Sequence, residues 1–239
     1  MSGLESVAGD ARSGPHVLVA DVDAPELAGE DRHHLERVLR RRSGDPLTVG
    51  DGAGRWRPCR FGDRVEPVGD VVSVAAPSPA LAVGFAVLKG GRSETIVQKL
   101  TELGVDRIVP FVAERSVVRW DEVKTVRTAE RWRRVAREAV MQCRRLWLPL
   151  VEPVRSFEEL DLGGAALAVS EGRTLAAGEN FVLVGPEGGW TEGELAAVDR
   201  HVCLGPHIMR AETAAIAAAA VLGARRSGRL PAAGGISSD

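Results

Sequence analysis

An α/β protein preceded by a small β-rich domain is predicted, and three features of the 239-residue chain carry that prediction. From Leu81 onward short apolar runs alternate with amphipathic stretches, the rhythm of strands followed by helices. Before Pro77 the rhythm differs: Asp-Gly turns separate runs with alternating apolar positions, as in hairpins. In the last quarter two glycine-proline segments, LVGPEGGW from Leu183 to Trp190 and LGPHIMRAETAAIAAAA from Leu204 to Ala220, each follow an apolar run, and the second opens into an alanine-rich helix.

The elements follow in order. VLVADVD, Val17 to Asp23, begins the patterned region after a small, polar start that reads as a loose N-terminus over residues 1–14. HHLERVL, from His33, is a short helix. PLTVGDGAGRW and the run toward VVSVAAP supply hairpin strands, so residues 15–76 form the β-rich domain, and Pro77 and Pro79 mark a linker over 77–80. The α/β domain then spans 81–228. LAVGFAVL is its first strand, Ile96, Leu100 and Leu103 share one helical stripe, and IVPFV is the next strand. A helix from Arg131 to Arg145, the strands ALAVS and FVLVG, and the helix AETAAIAAAAVL complete the alternation. Ser93 or Glu94 is placed to cap the helix after KGGRSE, and Lys99 and Glu102 are spaced for an ion pair. Residues 229–239, Gly- and Pro-rich, read as a loose tail.

Composition bounds the function. Hydrophobic residues at 44% and charged residues at 27% fit a folded domain with a substantial core. Tyrosine is absent, so base stacking rests on five tryptophans and five phenylalanines. The formal net charge of -2 hides segregation: residues 32–64 hold nine arginines against four acidic residues, and 127–145 hold seven against two. Such clusters suit phosphate contacts as well as solvated helix faces. Cys59, Cys143 and Cys203 are too scattered for a paired metal motif or a disulfide framework, and no metal site is expected. The N-terminus lacks a signal-peptide pattern and no apolar run is long enough to span a bilayer, which points to the cytosol.

The two glycine-proline segments read as walls of one small-molecule pocket. Glycine lets backbone approach a ligand and proline stiffens the loop. Neither segment has the Lys-Ser/Thr ending of a P-loop or the glycine spacing of a dinucleotide fingerprint, so ATP and NAD are not indicated.

Both segments closely match the RsmE-type family of 16S ribosomal RNA uracil-N3 methyltransferases, in the knotted SPOUT superfamily. The match continues in KGGRSETIVQKLTELGVDRIVPF from Lys89, ERSVVRW from Glu114, and EAVMQCRRLWLPLVEPV from Glu138, with its Gln-x-x-Arg pattern. HHLERVLRRRSGDPLTVGDGAG from His33 resembles the family's PUA-like RNA-binding domain. Coverage runs from about residue 15 to 228. The resemblance implies a deep trefoil knot in the C-terminal domain, a feature that periodicity alone does not predict. Two departures from the family's usual pattern stand out: His207 occupies a position often held by arginine, and Ala211 one often held by threonine.

What the resemblance implies is methyl transfer from S-adenosyl-L-methionine, without metal, to uracil N3 in 16S ribosomal RNA of the 30S subunit, the family's target being uridine 1498. Leu183, Gly185, Pro186, Glu187, Gly188 and Gly189 then form the first cofactor wall. Leu204, Gly205, Ile208, Met209, Glu212 and Thr213 form the second. Arg210 is the expected catalytic group, stabilising uracil as N3 loses its proton; His201 and His207 are weaker candidates as bases. Arg37, Arg40, Arg41, Arg42, Arg92, Arg115, Gln142, Arg144 and Arg145 are expected to position RNA, with Gln142 and Arg145 on one helical face. Trp147 reads as a packing anchor. A homodimer is implied, with VVRW and the C-terminal helix as candidate interface segments. Two rivals stay open: a related knotted methyltransferase acting on ribose oxygen or another base, and a non-catalytic ribosome-binding protein using the same basic clusters.

Overall fold

The computed structural model describes residues 14–117, 122–176 and 178–230, with side chains described from 126 onward in the second stretch. The chain divides into two compact units, residues 1–77 with 137–148, and residues 78–136 with 149–239. The main division falls inside the expected linker. Residues 137–148, which a contiguous reading places in the catalytic domain, instead pack with the first unit.

In the first unit β1 (His16–Leu18) pairs parallel with β2 (Pro46–Gly50), and β2 pairs antiparallel with β3 (Arg55–Arg60). Two short strands, β4 (Glu66–Pro67) and β5 (Val72–Ser73), both pair with β3. Gly52 and Gly54 take φ of 70° and 94° in the β2–β3 turn, the left-handed region that glycine occupies without strain. Helix α1 (Gly29–His33) widens into a π turn over His34–Val38. Val17, Val49, Leu35, Leu47 and Phe61 make the core, with Met141 packed against it. Arg137 ties the returning segment down through a bidentate pair with Asp31, 2.6 and 3.0 Å, and a bond to the Leu18 carbonyl.

His16 is buried in this unit, with Nδ1 2.9 Å from Thr48 Oγ1 and Nε2 without a partner among the described residues. Burial, reinforced by the Arg144 guanidinium, lowers its pKa from 6.5 to about 4. Across that window the unfolded chain binds the extra proton, so the contribution is complete above the unfolded value and is lost as pH falls through it. Urea midpoints are therefore expected to drop between neutral pH and about pH 4, His16 accounting for at most about 3 kcal/mol. A His16→Gln variant losing stability as steeply as the parent would refute that assignment.

The second unit is a seven-stranded parallel sheet ordered β12-β10-β11-β6-β7-β8, with β9 also on β7. Its strands are β6 (Ala82–Ala86), β7 (Arg107–Val112), β8 (Leu150–Val151), β9 (Arg155–Ser156), β10 (Ala165–Thr174), β11 (Phe181–Val184) and β12 (His201–Cys203). Helices α2 (Arg92–Glu102), α3 (Glu122–Cys143) as far as Ala136, the short α4 (Glu192–Ala196) and α5 (Ala211–Arg226) complete it. Along β11, Val182 and Val184 face one apolar layer with α2 and α5, while Phe181 and Leu183 face a second layer with Phe111 and Trp190. Burial on both faces explains why these strands read as unbroken apolar runs. Alanines 215, 218 and 219 let α5 approach the sheet closely. On the opposite face Gly84 leaves room for the second layer, since a Cβ there would stand 2.3 Å from Leu183 Cδ2.

Several expectations change. Helix α3 ends at Cys143, and Arg144 adopts φ 58° while the Arg145 amide bonds the Val140 carbonyl at 3.1 Å. That is a Schellman ending, and Gln142 and Arg145 do not share a helical face. The N-cap of α2 is Gly91, without a side-chain cap; Ser93 instead accepts from the Leu88 amide and Glu94 pairs with Arg131. The Lys99–Glu102 pair forms, at 2.8 Å.

Candidate active site

The two glycine-proline segments line one cavity of about 590 Å³, beyond the ends of β11 and β12. That volume suits a small organic ligand, and the carboxyl ends of parallel strands are where such sites form. Gly185, Pro186, Glu187, Gly189 and Trp190 give one wall; Leu204, Gly205, His207, Ile208, Met209, Arg210 and Ala211 give the other.

The first wall is braced from behind by Trp190. Its indole stacks on Phe111, 5.8 Å between centroids and 9° between planes, and Nε1 donates to the Ala168 carbonyl at 2.9 Å. A Cβ on Gly185 would lie 2.8 Å from that indole, so the loop reaches its position only with glycine there. Gly188 packs its Cα against Arg115, whose guanidinium donates to the carbonyls of Gly188 at 3.4 Å and Trp190 at 3.1 Å. Thr191 and Glu194 then form a capping box that starts α4, and Glu194 also accepts from the Glu114 amide at 3.0 Å. The Thr-x-x-Glu spacing at Thr191 is the sequence signal of that box, and the bracing role of Trp190 emerges only from its contacts.

The second wall turns on Arg210, the N-cap of α5, at φ -64° and ψ 154°. Its guanidinium is exposed, lines the cavity, and has no hydrogen bond or ion pair with a described residue. Ile208, 91% exposed, presents apolar surface that nothing in the described chain covers. His207 lines the cavity. His201 does not; its Nε2 lies 3.1 Å from the Leu195 carbonyl.

Not every expected cofactor residue lies at the surface of the cavity. Leu183 is wholly buried in the sheet, Gly188 faces Arg115, Glu212 sits in the first turn of α5, and Thr213 is exposed on that helix. The expected RNA residues also divide. Arg37, Arg40 and Arg42 are exposed with no side-chain partner among the described residues, whereas Arg41 is half-buried with Nε enclosed. Arg92 pairs with Glu187 and Arg115 holds loop carbonyls. Gln142 is exposed, and Arg144 and Arg145 lie half-buried beyond the end of α3. Within the larger basic cluster, Arg32, Arg57 and Arg60 bond backbone carbonyls and Arg55 pairs with Asp23. Those four serve the fold of their own unit. Val118, Arg119 and Trp120 of the VVRW segment lie outside the described residues.

Residues 76–223 match a family model described as an RNA methyltransferase domain. The chain is 34% identical over 221 residues to the ribosomal RNA small subunit methyltransferase E of Mycobacterium bovis, covering 82% of this chain and 84% of the relative. To the Bacillus subtilis protein of the same name it is 33% identical over 219 residues, covering 79% and 85%. A crystal structure of a ribosomal RNA small subunit methyltransferase E from Neisseria gonorrhoeae, bound to S-adenosyl methionine, is similar with a TM-score of 0.75 and 28% identity, covering 88% of this chain and 97% of that one.

Proposed function

This chain belongs to the ribosomal RNA small subunit methyltransferase E family, and we propose that it methylates uracil N3 in 16S ribosomal RNA, at the position equivalent to the family's uridine 1498, using S-adenosyl-L-methionine. The observation that carries the proposal is the cavity between two glycine-proline walls, with the Arg210 guanidinium on its lining and unpaired among the described residues. The cavity fits that cofactor: its volume is adequate, Gly185 and Gly205 keep side chains out of the walls, and Leu204, Met209 and Ile208 offer apolar surface to a nucleoside. When bound, the cofactor supplies a sulfonium methyl group open to nucleophilic attack.

The protein's own part is orientation and charge stabilisation. Uracil N3 carries a proton, and its loss leaves negative charge on the pyrimidine. Arg210 favours that anion because its guanidinium is committed to no described carboxylate and need not be released first. Its place at the N-cap adds the partial positive end of α5 to the same region.

The C-terminal unit is read as the trefoil knot of the SPOUT superfamily. Supporting that reading, the chain leaves β11, crosses to β12 beyond β10, and returns so that α5 packs on β6 and β11. A homodimer in the cytosol is proposed with it. The outer surface of α5 is composed of Thr213, Ile216, Ala217 and Ala220, small or apolar groups suited to a second helix, and no helix among the described residues is long and apolar enough to cross a membrane. Sedimentation at near-physiological salt checks the dimer, and an active species that is wholly monomeric rejects it.

RNA docking is assigned first to Arg37, Arg40 and Arg42. Replacing Arg40 and Arg42 with alanine is expected to weaken RNA binding and reduce the slope of log affinity against log salt by about 2, with cofactor affinity retained. Arg41→Ala, removing a partly enclosed group, changes that slope less. An unaltered slope in the double variant would make this run a solvated face.

The function itself is tested by incubating unmodified 30S particles with isotopically labelled S-adenosyl-L-methionine, digesting the RNA and identifying nucleoside and position by mass spectrometry. 3-Methyluridine is the expected product. Ribose methylation would reject the uracil-N3 assignment, and absence of cofactor binding by calorimetry would favour a non-catalytic ribosome-binding protein.

A further inference from the structure

A residue expected to meet RNA phosphate instead links the first cavity wall to the head of the helix that follows the second. Arg92 Nη1 forms an ion pair with Glu187 of the first loop and lies 3.9 Å from Oε2 of Glu212 at the head of α5. Its Nε also donates to the Lys89 carbonyl at 3.3 Å, which fixes the plane of the guanidinium. That Glu212 oxygen is buried and has no hydrogen-bond partner among the described residues. Neither carboxylate has another cationic partner among the described residues. One guanidinium is therefore the countercharge for two acidic groups, one on the first loop and one at the head of α5. Without it, two carboxylates that each lie within 3.9 Å of one guanidinium nitrogen would repel without compensation.

We propose that Arg92 is a positioning residue of the cofactor cavity, fixing the separation of the two glycine-proline walls through Glu187 and Glu212. This rests on the cavity being the S-adenosyl-L-methionine site. It assigns Arg92 away from the phosphate-binding set: with Nη1 and Nε committed, the guanidinium has less to offer an RNA backbone. It also gives Glu187 a role that a turn residue in a Pro-Glu-Gly-Gly loop would not have.

The test is a double-mutant cycle read by calorimetric S-adenosyl-L-methionine affinity in the full-length protein. Arg92→Ala and Glu187→Gln are each expected to raise Kd about threefold to fivefold, and the double variant no more than the worse single. Arg92→Lys, which keeps the charge but not the planar fork, should fall between parent and Arg92→Ala. In turnover on 30S particles the cofactor KM should rise by more than kcat falls, and the salt slope of RNA binding should not move. Additive effects in the cycle, or a salt slope lowered by about 1 in Arg92→Ala with cofactor affinity unchanged, would overturn the proposal and return Arg92 to the RNA-contact set. Glu187→Gln preserves volume and removes no cation, so it keeps the test valid if Arg92→Ala folds poorly. If the parent protein itself binds no S-adenosyl-L-methionine, the cavity reading fails first and this proposal with it; a parent that binds and variants that bind equally well defeat only the role of Arg92.

Discussion

Arg210→Ala is expected to lower kcat about 10²–10³-fold while leaving S-adenosyl-L-methionine binding measurable, the size of effect seen when one preorganised charge-stabilising donor is removed. The direction follows from its surroundings. A guanidinium already paired would have to be released before it could act, whereas Arg210 has no hydrogen bond or ion pair with a described residue. Its backbone is held as the N-cap of α5, whose next residue, Ala211, is buried, so the side chain projects from an anchored position. Because the effect falls on charge that develops as N3 loses its proton, kcat and kcat/KM for RNA should fall together. Raising pH should partly restore the variant, since more uracil is then deprotonated without help. Single-turnover rates across pH on labelled 30S particles measure both effects. Normal turnover by the variant would remove Arg210 from the chemistry.

Trp190→Ala should be the most damaging single change to the wall itself, destabilising the second unit by about 3–5 kcal/mol. The indole is 9% exposed, stacks on Phe111, packs on Phe157 at 5.5 Å and bonds the Ala168 carbonyl. Its loss leaves a cavity between the sheet and the first loop, just where Gly185 relies on close contact. Cofactor affinity should fall as well, because a slack loop must be ordered on binding. Trp190→Phe keeps most of the apolar volume and loses the indole N–H, so it should lie much closer to the parent. Thermal or urea denaturation followed by calorimetry on the folded variants distinguishes these outcomes. A loss below about 1 kcal/mol in Trp190→Ala would contradict the packing described.

Much of the architecture was legible along the chain because its signals are local. Runs such as Phe181–Val184 and Arg107–Val112 are apolar on both faces, a mark of a doubly covered strand, and the change of rhythm near Pro77 coincides with the division between the two units. The glycine-proline segments announced a pocket because their residue types constrain backbone, and both do line one cavity. Short strands escaped the reading: β8, β9 and β12 have two or three residues each, too few for a period to register. The end of α3 was misplaced for a related reason, since Arg144 takes a left-handed turn with no glycine to signal it.

The sequence by itself determined the α/β class, the β-rich N-terminal region, the family, and the two segments that meet at the cavity. Only the tertiary structure decided what each arginine does. A count of charges treats Arg37, Arg57, Arg92 and Arg115 alike, yet Arg57 bonds the Gly69 carbonyl, Arg92 pairs with Glu187, Arg115 holds the Trp190 carbonyl and Arg37 remains exposed. The physical reason is that a guanidinium's role depends on which acceptor lies within about 3 Å, and those acceptors come from positions distant in the chain that the sheet and its crossovers bring together.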